Sequence, residues 1–359
     1  MAGFGRTPGR AEVSAAVRAV TMRDVAQRAG VSLKTVSNVV NAYPHVRPEM
    51  RDRVLRVIDE LGYQMNFTAR NLSLGRTGLI ALAVPELRLA YFAELADAVI
   101  AAADRIGLTV LIEQTGGTRA GELEVLSSPR RRMTDGLLYS PTALRSVDAG
   151  ALDVDFPLVL LGERALRRGL DHVAMANEDG ARAITEHLLG TGRRRIALIG
   201  GHDAETGAGN LRARGFRAAM AAAGAEVDPR LLAGGERWSR QTGAAAMSQI
   251  LASGAVPEAV FALNDVMAIG AMRELYERGL SVPDDVAVAG FDNIEEARFS
   301  RPSLTTIDPD RDGIARTAVG LLADRLAGGA GVHDGTGDEP AHEIVAGFRV
   351  KIRESTATG

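Results

Sequence analysis

The sequence predicts a small three-helix head joined by a short linker to a larger α/β body of two doubly wound lobes. Three observations carry this prediction. Residues 21–63 hold three short amphipathic segments, each with its own cap or breaker; from Gly78 onward apolar runs alternate with helical patterns; and positive charge gathers at one end of the chain. At 359 residues the chain has room for two or three domains and a sizeable core.

Thr21 suits an N-cap, and Val25, Ala26 and Ala29 recur at helical spacing, which predicts a first helix over Met22 to Ala29. Gly30 ends it. A tight turn through Gly30 and Val31 leads to Ser32, a second cap, and to a helix from Leu33 to about Asn41 with Val36, Val39 and Val40 facing inward. Pro48 fits the first turn of a third helix, whose stripe of Met50, Val54, Val57, Ile58 and Leu61 can cover the other two. The arrangement is a helix-turn-helix, although short helix pairs with a glycine turn also occur in plain bundles.

Opposite its apolar face the second helix offers Leu33, Lys34, Thr35, Ser37 and Asn38, and the first turn of such a helix is where base edges are met in the major groove. Lys34 can donate to guanine O6 and N7, Asn38 can pair with adenine, and Leu33 can pack on a thymine methyl. Ser32, Thr35 and Ser37 can bond phosphates, with Thr21, Asn41 and Arg47 beside them as further phosphate contacts. The chain has only two lysines, Lys34 and Lys351, so a lysine here stands out against many arginines.

The formal net charge of −3 conceals an asymmetry. Residues 1–76 carry twelve Arg or Lys against six acids, a net +6, which leaves −9 on the remainder. A basic head on an acidic body fits a nucleic-acid contact confined to one end. Without cysteine there is neither a disulfide framework nor a thiolate metal site. Residues 1–20 read as a floppy extension, too polar for a signal peptide, and no apolar run approaches a membrane span, so a cytoplasmic protein is expected.

In the body, GLIALAVP reads as a strand, Tyr91 to Ile106 as a helix, and Leu108 to Ile112, Gly136 to Tyr139 and Phe156 to Leu161 as strands. A second half follows with helices over 177–189, 211–223, 240–251 and 265–278 and strands over 195–199, 259–263 and 286–290. Pro309 to Leu326 reads as a late helix and His342 to Ile352 as terminal strands, separated by an aperiodic, glycine-rich loop. In such lobes ligands sit outside the carboxyl ends of the strands. The residues there are Tyr91 and Phe92, Arg212, Asn264 and Asp265, and Asp292, with Trp238 on a loop before a helix. Flat rings and planar polar groups suit a carbohydrate's C–H faces and hydroxyls. Asp265 is expected to cap the helix that begins there; a helix cap is also the plainer reading of Asp292, and lobe packing that of Tyr91 and Phe92.

The run DVAQRAGVSLKTVSNVVN resembles, nearly position by position, the head of the lactose-repressor and galactose-repressor family of bacterial transcription factors. The resemblance implies that NFTARNLSLGR is a hinge helix that folds when two subunits meet on DNA. There Leu72 would wedge into the minor groove, with Ala69 and Arg70 as its neighbours; a linker whose leucine packs on the body is the plainer alternative. It further implies a body like periplasmic sugar-binding proteins. The expected domains are an extension (1–20), a head (21–64), a hinge (65–77) and a body (78–355). The first lobe would comprise about 78–176 plus 307–328, and the second about 177–304 plus 342–353. The segments AYFAEL, LRARGF, ERWS, LNDVMAIGAM and GFDN then match those that bring Tyr91, Phe92, Arg212, Trp238, Asn264 and Asp292 to the effector. One departure stands after LVLL, where many relatives have an aspartate and this chain has Gly162 and then Glu163, here the expected contact on that side.

Enzyme readings find no support: the six histidines are scattered, and no G-x-S-x-G elbow, H-E-x-x-H, dinucleotide fingerprint or Walker loop is present. Neither metal nor cofactor is expected. The sequence thus reads as a ligand-responsive repressor acting as a homodimer on a near-palindromic operator and released by a sugar inducer; the family's tetramerising heptad tail is absent. The alternatives are a purine-like corepressor, since AYFAEL also resembles the purine repressor, or a sugar-binding or enzymatic α/β protein with an incidental helical head.

Overall fold

The computed structural model describes residues 20–40, 45–63, 76–163, 169–200, 207–235, 237–327 and 341–357. The chain divides into two compact units, residues 1–75 and 76–359.

The first unit holds α1 (Met22–Ala29), α2 (Leu33–Val40) and α3 (Pro48–Leu61). Thr21 and Asp24 cap α1 reciprocally: Thr21 Oγ1 accepts the Asp24 N–H, and Asp24 accepts the Thr21 N–H at 2.8 Å. Gly30, at φ 64°, closes α1 in the left-handed conformation, its N–H turned back on Ala26 and Gln27. Ser32 caps α2 by accepting the Thr35 N–H at 3.1 Å. Val25, Val36, Val39, Val54, Val57 and Tyr63 form the buried centre of this unit.

The second unit contains two parallel sheets. The first-lobe sheet has the order β11-β5-β4-β3-β1-β2, where β1 is Leu79–Val84, β2 Thr109–Gln114, β3 Gly136–Tyr139, β4 Leu158–Leu161, β5 Asp171–Ala174 and β11 Glu343–Val345. Its central strands are buried on both faces, which is why they read as unbroken apolar runs. One face is covered by α4 (Ala90–Asp104) and α11 (Arg311–Ala327), and the other packs with Val125 and Leu126 of α5 (Arg119–Ser127).

The second-lobe sheet runs β7-β6-β8-β9, with β6 Ile196–Ile199, β7 Leu232–Ala233, β8 Ala259–Ala262 and β9 Ala287–Ala289. The helix pairs α6 (Asn177–Gly190) with α7 (Ala208–Ala222), and α8 (Arg240–Ala252) with α9 (Asp265–Glu277), pack side by side around it. The short α10 (Glu295–Phe299) follows β9.

The terminal strands depart from expectation. Glu343–Val345 does not join the second lobe; it pairs in parallel with β5 in the first-lobe sheet, Ile344 opposite Val173. Asp171 explains the placement. Its buried carboxylate accepts Arg325 Nε at 2.8 Å and the His342 N–H at 2.9 Å, so the end of α11 and the returning chain are pinned to one side chain. Only β12 (Arg349–Lys351) lies elsewhere, antiparallel to β10 (Thr306–Asp308) in a two-stranded ribbon.

The α6–α7 crossing depends on Gly215, where an added Cβ would stand 2.1 Å from the Glu178 carbonyl oxygen and 2.8 Å from the Arg182 nitrogen. Backbone cannot yield as a side chain tip does. Gly215→Ala should therefore lower stability by about 1–3 kcal/mol or more, read from the urea midpoint. Gly190→Ala, at the end of α6 with nothing within 4 Å, serves as the neutral control.

Candidate functional site

On the head, Leu33 and Lys34 are exposed on the first turn of α2, Leu33 at 45%. Thr35, Ser37 and Asn38 are half-buried along the same helix, while Val36 and Val39 point into the core. The hydroxyls of Ser32 and Thr35 lie 2.8 Å apart in a hydrogen bond, so both stiffen the turn that presents Leu33 and Lys34. Thr21 is engaged in its cap and Arg47 stands exposed before α3. Asn41, Ala69, Arg70 and Leu72 lie outside the described residues.

In the body the organising group is Arg212, on α7 and only 1% exposed. Its Nε donates to Asn177 Oδ1 at 2.6 Å, its Nη1 to the Leu263 carbonyl oxygen, and its Nη2 to Asp292 Oδ1 at 3.2 Å. Its guanidinium carbon lies 3.7 Å from the centre of the Phe291 ring and 5.3 Å from that of Trp238. A buried guanidinium left unpaired would be costly; here carboxylate, carboxamide, carbonyl and ring faces surround it.

The first lobe answers with Tyr91 and Phe92 at the start of α4, their rings edge to face with centres 5.2 Å apart. Burial, followed by the Asp292 and Glu163 carboxylates, pushes the Tyr91 phenol above its ordinary value, so it stays a donor. Glu163 accepts from Asn177 Nδ2 at 3.1 Å, which makes Asn177 a bridge between Glu163 and Arg212. Tyr91, Phe92, Glu163, Arg212, Trp238 and Asp292 thus converge from both lobes on one cluster.

Two expectations change. Asn264, not Asp265, caps α9, its Oδ1 accepting the Met267 N–H at 3.0 Å, so that oxygen is committed to the helix. Asp265 turns inward, accepting the Thr306 hydroxyl and, at 3.0 Å, the Ile294 N–H. Burial and the neighbouring Asp292 charge push the Asp265 carboxyl well above its ordinary range. Nor does Asp292 cap a helix, since Ile294 precedes α10; it sits at φ 110°, in backbone strained for any side chain. Asn177, Arg311 and Met175, whose Sδ lies 3.8 Å from Arg212 Nη2, escaped the sequence reading. Asn177 and Arg311 begin helices after β5 and β10, so the rule of examining strand ends points to them once those short strands are recognised.

Among known proteins, the profile described as "Bacterial regulatory proteins, lacI family" matches residues 21–66, and that of a "Periplasmic binding protein-like domain" matches residues 185–356. The HTH-type transcriptional repressor PurR of Vibrio campbellii is 33% identical over 308 residues, covering 85% of this chain and 92% of its own. A solved structure from Sanguibacter keddieii, assigned to the LacI family of transcriptional regulators, is 49% identical with a TM-score of 0.72, covering 79% of this chain and 100% of its own. The structure of the transcriptional regulator CelR in complex with cellobiose is 30% identical with a TM-score of 0.68, covering 94% and 99% respectively.

The electrostatics of the cluster yield a signed pH dependence. Burial, opposed by Arg212 and Arg311, raises the Asp292 carboxyl from 3.8 to about 6. The folded state therefore holds this proton more tightly than the unfolded chain. Its stabilising effect is complete below the unfolded value and is lost as pH rises through the folded one. The stability of the wild type relative to Asp292→Asn should fall between about pH 4 and 6, by at most about 1.4 kcal/mol per pH unit, and level off above. Urea unfolding across that range checks it. A difference that grows with pH would mean that the Arg212 pair outweighs burial.

Proposed function

The chain belongs to the lacI family of bacterial regulatory proteins, DNA-binding transcriptional regulators rather than enzymes, and from that premise we propose a cytoplasmic repressor that binds its operator as a homodimer and is released by a sugar. The observation that carries the effector reading is the Arg212 cluster: rings of Tyr91, Phe92, Phe291 and Trp238 beside the planar polar groups of Asp292, Asn177 and Glu163. Apolar ring faces and bidentate partners are what a pyranose needs. The similarity to CelR, whose structure holds cellobiose, supports a sugar, and the similarity to the repressor PurR keeps a purine-like corepressor as the second reading. Among the described residues no helix is long and apolar enough to cross a membrane.

Dimerisation has support in the first lobe. β2 is the outer strand of its sheet, and Leu111 and Ile112 on it, with Ile106 just before it, are exposed at 38%, 37% and 51%. An apolar edge strand of this kind calls for a covering partner. Two heads on one dimer would read the halves of a near-palindromic operator, with Lys34, Asn38 and Leu33 on base edges and Ser32, Thr35, Ser37, Thr21, Asn41 and Arg47 at phosphates. The hinge residues Ala69, Arg70 and Leu72 complete the contact in the minor groove. Effector and operator must change each other's affinity by a common factor.

Trp238 is the only tryptophan, so its fluorescence during titration with cellobiose, other oligosaccharides, monosaccharides and purines tests the effector class directly. A saturable response to a sugar is expected. A response to purines alone would replace release by corepression, and silence across the panel in folded protein would remove the sugar assignment.

For the head, operator affinity should fall with salt at a log–log slope of about −0.9 per phosphate neutralised. Lys34→Ala should cost about 1–3 kcal/mol of specific binding without altering the Trp238 titration. Unchanged operator affinity in that variant would remove Lys34 from base recognition.

A further inference from the structure

The turn that presents Asp292 is held from two directions. Asp292 and Asn293 both have positive φ, 110° and 49°, with no glycine to relieve either. Arg353, arriving from β12, donates Nη2 to Asn293 Oδ1 at 2.6 Å. Arg311, the first residue of α11, donates to the carbonyl oxygen of Asp292 and, at 3.2 Å, to that of Asn293. Of the two clamps, Arg353 stays on the second lobe, where Nη1 also donates to the Leu304 carbonyl oxygen at 2.7 Å, and only Arg311 begins a helix of the first lobe.

Arg311 does a second thing. The same guanidinium forms an ion pair with Glu94 on α4 of the first lobe. The other carboxylate oxygen of Glu94 accepts the Glu295 N–H at 2.8 Å, from the first residue of α10 in the second lobe. Glu94 lies one helical turn after Tyr91, so the helix that carries the aromatic side of the cluster is tied to the turn that carries its carboxylate. These groups are not sealed away. The side chains of Arg311 and Glu94 are 17% and 25% exposed, and with Asn293, Arg298 and Lys351 they line an open cavity of about 560 Å³. An ion pair in reach of water can open without stranding either charge, unlike the one between Arg212 and Asp292.

We propose that Glu94 and Arg311 form an interlobe latch, a pair of positioning residues that holds the Asp292–Asn293 turn in its strained form when α4 is docked against it. Closing the lobes and setting the Asp292 carboxylate then become one event. The inference rests on reading the Arg212 cluster as the effector site, and adds the device that makes that site depend on lobe position. With the latch open, Arg311 loses its counter-charge and Glu295 its acceptor, and the turn loses its tie to α4.

The absence of cysteine makes the test clean, because Asp104→Cys at the exposed end of α4 and Arg217→Cys on the exposed face of α7 would be the only thiols. Double electron–electron resonance on ligand-free spin-labelled full-length protein, diluted into unlabelled protein, reads the distance between the lobes. Glu94→Gln and Arg311→Gln should each lengthen and broaden the distribution. The double variant should show no shift beyond that of Arg311→Gln alone, since that change already removes the pair with Glu94 along with the bonds to the turn. Arg298→Gln, at the rim of the same cavity, should leave the distribution unchanged.

Unaltered distances in both single variants, an additive shift in the double, or an equal shift in Arg298→Gln would overturn the proposal. The outcome is separable from the effector reading. Latch variants that behave as expected while Trp238 ignores every ligand would leave the latch and remove the effector site, and a Trp238 response with unmoved distances would do the reverse.

Discussion

The body is organised around a buried guanidinium. Arg212 lies between the aromatic rings and the polar ends of the second-lobe strands, and a desolvated cation of this kind must be met on every side. That requirement fixes its neighbours. Asn177 turns its oxygen to Arg212 and its nitrogen to Glu163, Asp292 supplies the counter-charge, and the Leu263 carbonyl is oriented by its place at the end of β8. Asp292 can do this only from a backbone conformation that L-residues avoid, and β10 and the two clamping arginines hold it there.

Strain and burial fix the directions of the donors and acceptors in this cluster. Three of the Arg212 partners are already bonded, so a ligand bound as proposed would meet a set whose directions are decided rather than one it must order. Burial raises the Asp292 carboxyl to about 6 against the pull of Arg212 and Arg311, so its charge is set by opposing influences. Asp265 beside it is screened from any ligand and instead ties β10 to the turn through Thr306 and Ile294. Carboxylates that are neighbours in space thus divide between holding the fold and facing the cleft.

The head follows a different logic. Its core is a handful of valines with one tyrosine, and much of its definition comes from polar caps: Thr21 with Asp24, Gly30, and Ser32 with Thr35. Such caps constrain where each helix starts and stops, and so which side chains emerge at the first turn of α2. The exposure of Leu33 and Lys34 is a consequence of the cap at Ser32 and the inward register of Val36 and Val39.

Much of this was legible in the residues alone. Helical periodicity, caps and breakers located the three head helices, continuous apolar runs located the central strands, and the rule of strand ends pointed to Tyr91, Arg212 and Asp292, because each of these signals is local in the chain. Tertiary structure decided what local signals cannot carry. β5 and β10 are short and begin or end with charged residues, so they become strands only through partners, and Asn177 and Arg311 went unseen with them. Which of Asn264 and Asp265 caps α9 depends on Thr306, 41 residues beyond Asp265. The return of Glu343–Val345 to the first lobe depends on Asp171, far back in the chain. Patterns of burial are written along the sequence, whereas the pairing of one buried charge with another is settled only when distant segments meet.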